Sequence, residues 1–402
     1  PGSDKFRGEG FFNFGHGSFN ARNPFYASER PLFQERLFGG KLSGPINKRT
    51  SFTVDLERQE VDAKALINAT ILDSALNATP LRDEVATPQR RISFSPRLDY
   101  QWNENHTLAG RYMITRMGRD NVGVGDLSLL SRAYNTSETE HLLQLTETAV
   151  VSTRAINETR FQFVHTTTGQ FGNSSIPTLT VSDAFSGGGA EIGHSVSGQD
   201  RWEVQNHTYF IRGAHSLRWG ARMRATTLSD VAPQNFGGTF RFSSGTGPEL
   251  DGNNQIVRDA EDQPVLVPVP ALERYRRTVL CLSQGLTAEQ IRTLGGGASQ
   301  FSISAGNPKA TVSQVDLGLY VQDDWRLRPN FSLSLGLRYE TQNNIHHWTD
   351  FAPRISFAWA PGNPRQRKTA VRVGTGIFYD RFGEKLTLEA ARLNGLNQQQ
   401  YV

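Results

Sequence analysis

Between Gly318 and Arg381, apolar and polar side chains alternate one by one in run after run. The clearest run is Phe331–Tyr339, with Phe331, Leu333, Leu335, Leu337 and Tyr339 on one face and Ser332, Ser334, Gly336 and Arg338 on the other. Successive strand side chains point to opposite faces, so a period of two specifies a β-strand with one apolar and one wet side. Arg354–Trp359 repeats the pattern through Ile355, Phe357 and Trp359, and Val371–Tyr379 through Val371, Val373, Ile377 and Tyr379. Arg326-Leu-Arg-Pro-Asn330 and Pro361-Gly-Asn-Pro-Arg365 carry turn residues between these runs.

Further strand candidates are Phe6–Phe14, which is short and aromatic, Glu35–Ile46, Ser51–Gln59, Ile92–Trp102, Leu108–Thr115, Leu142–Val151 and Ile156–Thr166, with clear alternation in Ser51–Gln59, Ile92–Trp102 and Leu108–Thr115. The series continues in Trp202–Ile211, Leu217–Ala225 and Leu319–Trp325, which makes about thirteen strands of roughly ten residues, the length that crosses a bilayer at a tilt. Connections alternate short and long. Asn47-Lys-Arg49, Asn103-Glu-Asn105, Ser152-Thr-Arg154 and Arg212-Gly-Ala-His215 are tight, while the segments between them are long and rich in Gly, Asp and Ser. A transmembrane barrel with tight periplasmic turns and long extracellular loops has this asymmetry.

Within the long segments, Val61–Pro88 reads as an excursion with one or two helical turns at its Ala/Leu-rich centre. Pro96 cannot donate to a ladder, so a bulge or an edge-like defect is expected there. Residues 229–311 read as a large extracellular loop insertion, with a small hairpin near Phe236–Phe242. A helix is expected from Thr287, which stands at capping-box spacing from Gln290, to Gly295-Gly-Gly297. Glu384–Leu393 reads as a short amphipathic helix.

Composition narrows the class. Hydrophobic residues make up 37% of the 402 positions, and no run of eighteen apolar residues offers a transmembrane helix. Barrel strands escape that test because half their residues face a polar interior. The net charge of +4 is carried largely by arginines scattered singly, not clustered as a nucleic-acid footprint requires. Cys281 is the single cysteine, which excludes an intrachain disulfide and a thiolate zinc site. The first residues carry no signal peptide, so the chain is expected to be cut from a longer precursor. The stop at Tyr401-Val402 likewise suggests a missing C-terminal part.

An arginine on a lipid-facing surface at mid-membrane costs about 2–4 kcal/mol. Arg111, Arg218, Arg222, Arg338 and Arg372 all share the polar face, with Arg97 in agreement, and are expected to face the lumen. A soluble sheet with one solvated face places them identically; loop asymmetry, strand length and aromatic strand ends favour the membrane. Catalytic motifs are lacking. Gly193-His-Ser-Val-Ser-Gly198 has the wrong spacing for a nucleophile elbow, and Gly374-Thr-Gly376 lacks the third glycine of a dinucleotide fingerprint. Adjacent Asp323 and Asp324 point to opposite faces of a strand and form no acid/base pair. No enzyme activity, cofactor or resident metal is expected. His346, His347 and Trp348 are weak loop candidates for substrate contact, set against a solvated loop with one aromatic belt residue.

Phe38-Gly-Gly-Lys-Leu-Ser-Gly-Pro-Ile46, just after Asn20-Ala-Arg22, resembles the first barrel strands of Oar-like TonB-dependent receptors. Tyr320-Val-Gln-Asp-Asp-Trp325 with Gly336-Leu-Arg-Tyr-Glu340 is similar to later strands of TonB-dependent receptors generally. Gly295-Gly-Gly-Ala-Ser-Gln-Phe301, Ala352-Pro-Arg-Ile355, Gly374–Arg381 and Asn394–Tyr401 look Oar-like again. The resemblance implies a plug inside a barrel of about 22 strands, with substrate bound by outer loops and plug. It also implies energy supplied by an inner-membrane TonB complex through an N-terminal box. Against that pattern, plug, box and closing strands are expected to lie outside this sequence.

The expected fold is therefore all-β: an antiparallel up-and-down transmembrane β-barrel, partial, with residues 1–402 forming part of one barrel domain. The expected partners are outer-membrane lipid, a TonB complex acting through the missing plug region, and an unidentified extracellular substrate, with no nucleic acid. An adhesion barrel without transport and a soluble secreted glycan-binding β-protein are the competing readings.

Overall fold

Alternation of the kind described builds one long antiparallel meander. The structure, a computed structural model, describes residues 5–19, 33–345, 347–362 and 369–402. Its strands begin with β1 (Arg7–His16), β2 (Phe33–Asn47), β3 (Thr50–Leu72), β4 (Ala78–Ala86), β5 (Gln89–Gln101) and β6 (His106–Val122). Next come β7 (Tyr134–Ser152), β8 (Ala155–Gly172), β9 (Thr178–Val181), β10 (Phe185–Gly188), β11 (Ser195–Arg212) and β12 (His215–Val231). The segment after β12 holds β13 (Thr239–Phe242), β14 (Gly245–Pro248), β15 (Leu266–Val269), α1 (Ala271–Ser283), α2 (Ala288–Thr293) and β16 (Gln300–Gly306). The chain ends with β17 (Lys309–Arg328), β18 (Phe331–Gln342), β19 (Phe351–Trp359), β20 (Val371–Gly376), α3 (Glu384–Arg392) and β21 (Gln398–Tyr401).

Thirteen strands form the wall in the order β1-β2-β3-β5-β6-β7-β8-β11-β12-β17-β18-β19-β20, and β4 pairs with the far end of β3. Every described wall pair is antiparallel. The turns after β2, β5, β7, β11 and β17 are short and lie at one end; the long segments gather at the other.

Polarity along β17 identifies the solvent on each side. From Lys309 to Ser313 the exposed residues are Lys309, Thr311 and Ser313, while Ala310 and Val312 are buried, as in a water-soluble protein. Two residues on, the pattern inverts. Gln314 and Asp316 are buried at 4% and 5% exposure, whereas Leu319 and Val321 are 44% and 48% exposed. Apolar outside and polar inside is favourable where the outer medium is hydrocarbon. Among the described residues no helix is long and apolar enough to cross a membrane.

Above the wall, the long segments fold into a cap. The strand order β10-β9-β13-β16-β21 makes a five-stranded sheet in which β9 and β13 run parallel. Val181, Ala184, Phe185, Phe242 and Ala271 form its core together with Ile67, Ala69 and Val85 from the arm that β3 and β4 raise beyond the wall. Tyr275 stands edge-on to Phe185 and Phe242 at 5.4 and 5.1 Å. Backbone bonds Asn68 N–H to Asp126 O (2.7 Å) and Thr70 N–H to Ala184 O (3.0 Å) tie the arm to neighbouring loops.

Three hairpin ends in this region share one device. Asp73, Asp251 and Asp259 each accept, through Oδ1, the N–H groups two and four residues on. The residue three on takes left-handed backbone: Leu76 (φ 62°), Asn254 (60°) and Asp262 (61°). Asn and Asp tolerate that conformation; leucine does so at a cost of about 1–2 kcal/mol.

Several expectations are corrected here. Val61–Pro88 contains no helical turn: β3 runs on to Leu72 and returns as β4, because β-branched and polar residues continue the alternation past Gln59. At Pro96 the expected defect is edge-like and not a bulge. Pairing of β5 with β6 lapses at Ser95 and Pro96 and resumes at Arg97 in the same register, since proline removes one donor without changing residue count. Phe236–Phe242 is no local hairpin; Thr239–Phe242 pairs with β9 and β16 instead. The strand from Val371 ends at Gly376, short of Tyr379. The Thr287 capping box forms with both of its bonds. Asn20-Ala-Arg22 and the end of the Pro361–Arg365 turn lie outside the described residues.

Candidate binding site on the inner face

Direct cross-strand partners share a face, so register assigns each wall residue to one side. One inner row reads Arg111, Gln144, Gln162, Glu203, Arg224, Asp316 and Gln342 from β6 to β18. The next row towards the turns carries Arg160, Gln205, Arg222, Gly318 and Glu340. Both are almost wholly polar.

Their charges interlock. Glu203 lies 3.2 Å from Arg222 Nε and accepts from Arg224 Nε at 2.8 Å. Arg338 pairs with Glu340, which also holds Arg381 at 3.4 Å. Arg222, Arg338, Glu340, Arg354, Asp380 and Arg381 line a cleft of about 280 Å³, four guanidinium groups against two carboxylates. Arg354 stacks over Phe378 at 4.5 Å, and its buried Nε has no hydrogen-bond partner among the described residues. The cleft is built to attract negative charge or a carbonyl-rich surface.

Gly220 lies in an inner row between His207 and Tyr320. A Cβ there would come within 2.3 Å of Asn206 O. Without one, His207 Nδ1 reaches Tyr320 Oη at 2.8 Å across the intervening strand.

After β20 the chain turns back over this face. Leu388 of α3 packs on Leu228, Ala310 and Val312, the buried inner residues near the loop ends of β12 and β17. Glu384 accepts from Gln199 at 2.7 Å, Arg392 pairs with Asp230, and Gln314 and Gln342 donate to Phe382 O at 3.0 and 3.1 Å. Burial raises the Glu384 pKa, but backbone and Gln199 hydrogen bonds and the charges of Arg201 and Arg224 outweigh it, leaving the carboxyl below its usual range. Beyond α3, β21 pairs with β16 and so fastens this segment to the cap.

In the cap, buried Arg277 donates to Pro248 O (2.8 Å), Leu294 O (3.0 Å) and Glu273 (2.8 Å). Burial pushes Glu273 up; hydrogen bonds and charge from Arg276 and Arg277 pull it further down, and the net pKa is lowered. Cys281 is buried, and burial pushes its thiol up, away from nucleophilic use.

The five arginines singled out from sequence occupy one face but not one site. Arg222 and Arg338 meet in the cleft. Arg111 donates from Nε to Ser95 at 2.9 Å, Arg218 lies over Tyr209 and 3.7 Å from Asp324, and Arg372 sits on β20 opposite Ala358. His346 lies outside the described residues; His347 contacts Asp350 and Thr349, and Trp348 is exposed. Asp323 faces outward to His215 and Asp324 inward to Ser334. No group of three or more His, Cys, Asp or Glu side chains among the described residues could hold a metal ion. Glu203, Glu340, Arg354 and Arg381 were not foreseen. The signal was available for Glu203 and Arg354, which alternate with apolar neighbours as Arg338 does.

The model of the outer membrane beta barrel domain matches residues 63–347. Among solved structures, a siderophore receptor PirA from Acinetobacter baumannii superposes with a TM-score of 0.53 at 9% identity, over 94% of this chain and 43% of that one. A variant of the ferric enterobactin receptor PfeA from Pseudomonas aeruginosa gives 0.51 at 11% identity, over 93% and 44%. The chain thus spans less than half the length of these receptors, and at such identity the likeness is one of fold. No curated protein matches the sequence.

Proposed function

Because this chain belongs to the outer membrane beta barrel domain family, we propose that it is part of the wall and mouth of an Oar-like TonB-dependent receptor that binds a substrate and imports it. The observation that carries this reading is the arginine-rich inner cleft beneath a folded cap. The short turns then face the periplasm and the cap, with residues 229–311, faces outward. Arg111, Arg218, Arg222, Arg338 and Arg372 face the lumen.

In this reading the remainder of a receptor of the matched length supplies a plug and further strands, and a TonB complex acts through that plug. Polar inner rows suit a hydrated plug–wall interface. The matched receptors are named for siderophores, but likeness of fold does not carry a ligand across. The cleft favours a substrate or plug segment with carboxylates or carbonyls. No catalysis is proposed. The cap's own core equally suits a binding barrel without transport.

The test is expression of the full-length protein in a Gram-negative host with and without an active TonB complex. A heat-modifiable outer-membrane species whose substrate uptake stops without TonB supports the proposal. Binding that persists without any TonB-dependent uptake would replace it with the adhesion reading, and a soluble product would end both.

A further inference from the structure

The outward face has a level upper edge and an uneven lower one. Along the upper edge His141, His165, Asp200, Thr227 and Ser313 form one continuous polar row from β7 to β17. Three rows nearer the turns, Glu147, Thr159 and Asn206 stand beside one another on β7, β8 and β11, and the same row continues as Ala221 and Leu319 on β12 and β17. Between these edges β7 presents only Leu143 and Leu145, β8 only Phe161 and Phe163, and β11 only Trp202 and Val204. Strand β12 presents Leu217, Trp219, Ala221, Met223 and Ala225 between His215 and Thr227.

At 3.3 Å per residue and a tilt near 40°, the belt on β12 is about 30 Å tall, which fits a bilayer; on β7, β8 and β11 it is about 15 Å. The missing half lies on the turn side. Its residues are bonded to one another: Asn157 Nδ2 donates to Asn206 and Thr208 at 3.1 and 2.8 Å, and Asn206 Nδ2 to Asn157 and Thr159 at 3.0 and 2.9 Å. His106 Nδ1 contacts Glu147 Oε1 at 2.7 Å, with Trp102 at 5.9 Å from the imidazole. His106 Nε2 and Glu147 Oε2 take no hydrogen bond among the described residues.

We infer that this patch is a headgroup site for zwitterionic phospholipids of the periplasmic leaflet, which it draws towards the midplane beside β7, β8 and β11. Glu147 Oε2 would accept from the ammonium, His106 as an imidazolium would donate from Nε2 to the phosphate, and Trp102 would sit at the interface, where tryptophan is favoured. A carboxylate and four amide or hydroxyl side chains left in hydrocarbon would instead oppose insertion. The leaflet thins locally because mismatch costs only fractions of a kcal/mol per Å.

The inference rests on the family assignment and its membrane sidedness, not on transport. Thr159 on β8 and Leu335 on β18 each stand four residues from the turn end of their strand and face outward. Spin labels at Thr159→Cys and Leu335→Cys, in the full-length protein with Cys281→Ala, would be read in phosphatidylethanolamine/phosphatidylglycerol liposomes by collision with oxygen and with a water-soluble nickel chelate. We expect several-fold more nickel collision at 159 than at 335, lost in Glu147→Leu/His106→Leu and weakened in phosphatidylglycerol alone. Equal hydrocarbon depth for the two labels overturns the inference. A label at 159 shielded from both reagents overturns it in favour of a protein partner, and unchanged nickel collision in phosphatidylglycerol alone overturns the zwitterionic assignment. If neither label enters the bilayer, the barrel reading itself has failed.

Discussion

Strand β17 passes from the cap into the wall, and the two regions use the same residue types in opposite senses. In the cap Val181 is 1% exposed and Phe185 6%, and each leaves water on folding. In the wall Leu319 and Val321 stay almost half exposed to whatever surrounds the protein, and the carboxylate of Asp316 is the buried group. Cap stability follows from removing apolar area from water, about 25 cal/mol per Å². Wall stability follows from strand pairing, inner ion pairs and lipid contact. An alternating sequence is compatible with either; which face is crowded tells them apart.

The largest effect should come from the cap core. Phe185→Ala removes a ring that meets Tyr275 and should cost about 3–5 kcal/mol. Limited proteolysis should then cut the cap while the wall keeps its heat-modifiable migration; loss of both together would show that the regions are not separable. Next is Leu319→Arg, expected to cost about 2–4 kcal/mol in urea-dependent folding into liposomes. Thr311→Arg, on the same strand and face but above the apolar belt, should stay within about 0.5 kcal/mol. Equal costs for the two would mean that the polarity change between Ser313 and Val315 is not the membrane boundary.

A smaller effect depends on pH. The Glu273 pKa is lowered in the folded cap, so its contribution is fully present above the ordinary value of 4.5 and fades as pH falls through the folded value. Protection of the amides around α1, taken relative to the intrinsic exchange rate at each pH, should therefore fall on acidification below that point, and Glu273→Gln should abolish the dependence. An acid response in the wall but none at α1 would contradict this. Smallest is Leu76→Gly, which relieves left-handed backbone at the tip of the β3–β4 arm and should stabilise it by about 1 kcal/mol. Differential exchange at that arm would register the gain.

Sequence pattern located the wall strands and their tight turns because all but one of the wall strands run for nine residues or more. It located α2 because Thr287 and Gln290 carry a local capping signal. It could not locate the cap sheet. Strands of four residues such as Thr178–Val181 and Thr239–Phe242 have no measurable period, and they pair across some sixty residues. The β3–β4 arm was misread because Ala63–Ala69 has helix-forming composition, which tertiary pairing overrode. On the inner face, Arg222 and Arg338 could be placed by parity, but their meeting with Arg354 and Arg381 depends on how strands and the returning segment are arranged in space.

The three aspartate-closed hairpin ends bear on the order of events during folding. Each closes a five-residue loop with hydrogen bonds that need no distant partner, and isolated hairpins form in about 1–10 μs. Arm and cap therefore hold local nuclei that work in plain water, whereas the apolar belt gains its favourable surroundings only at the membrane. We expect protection from hydrogen exchange to appear at Asn77, Gln255 and Gln263 before it appears at Leu319 in a pulse-labelling experiment during liposome insertion. Simultaneous protection would mean that these turns wait for the wall. If they do not, the chain reaches the bilayer with part of its outer architecture already shaped, and the membrane completes a structure it did not begin.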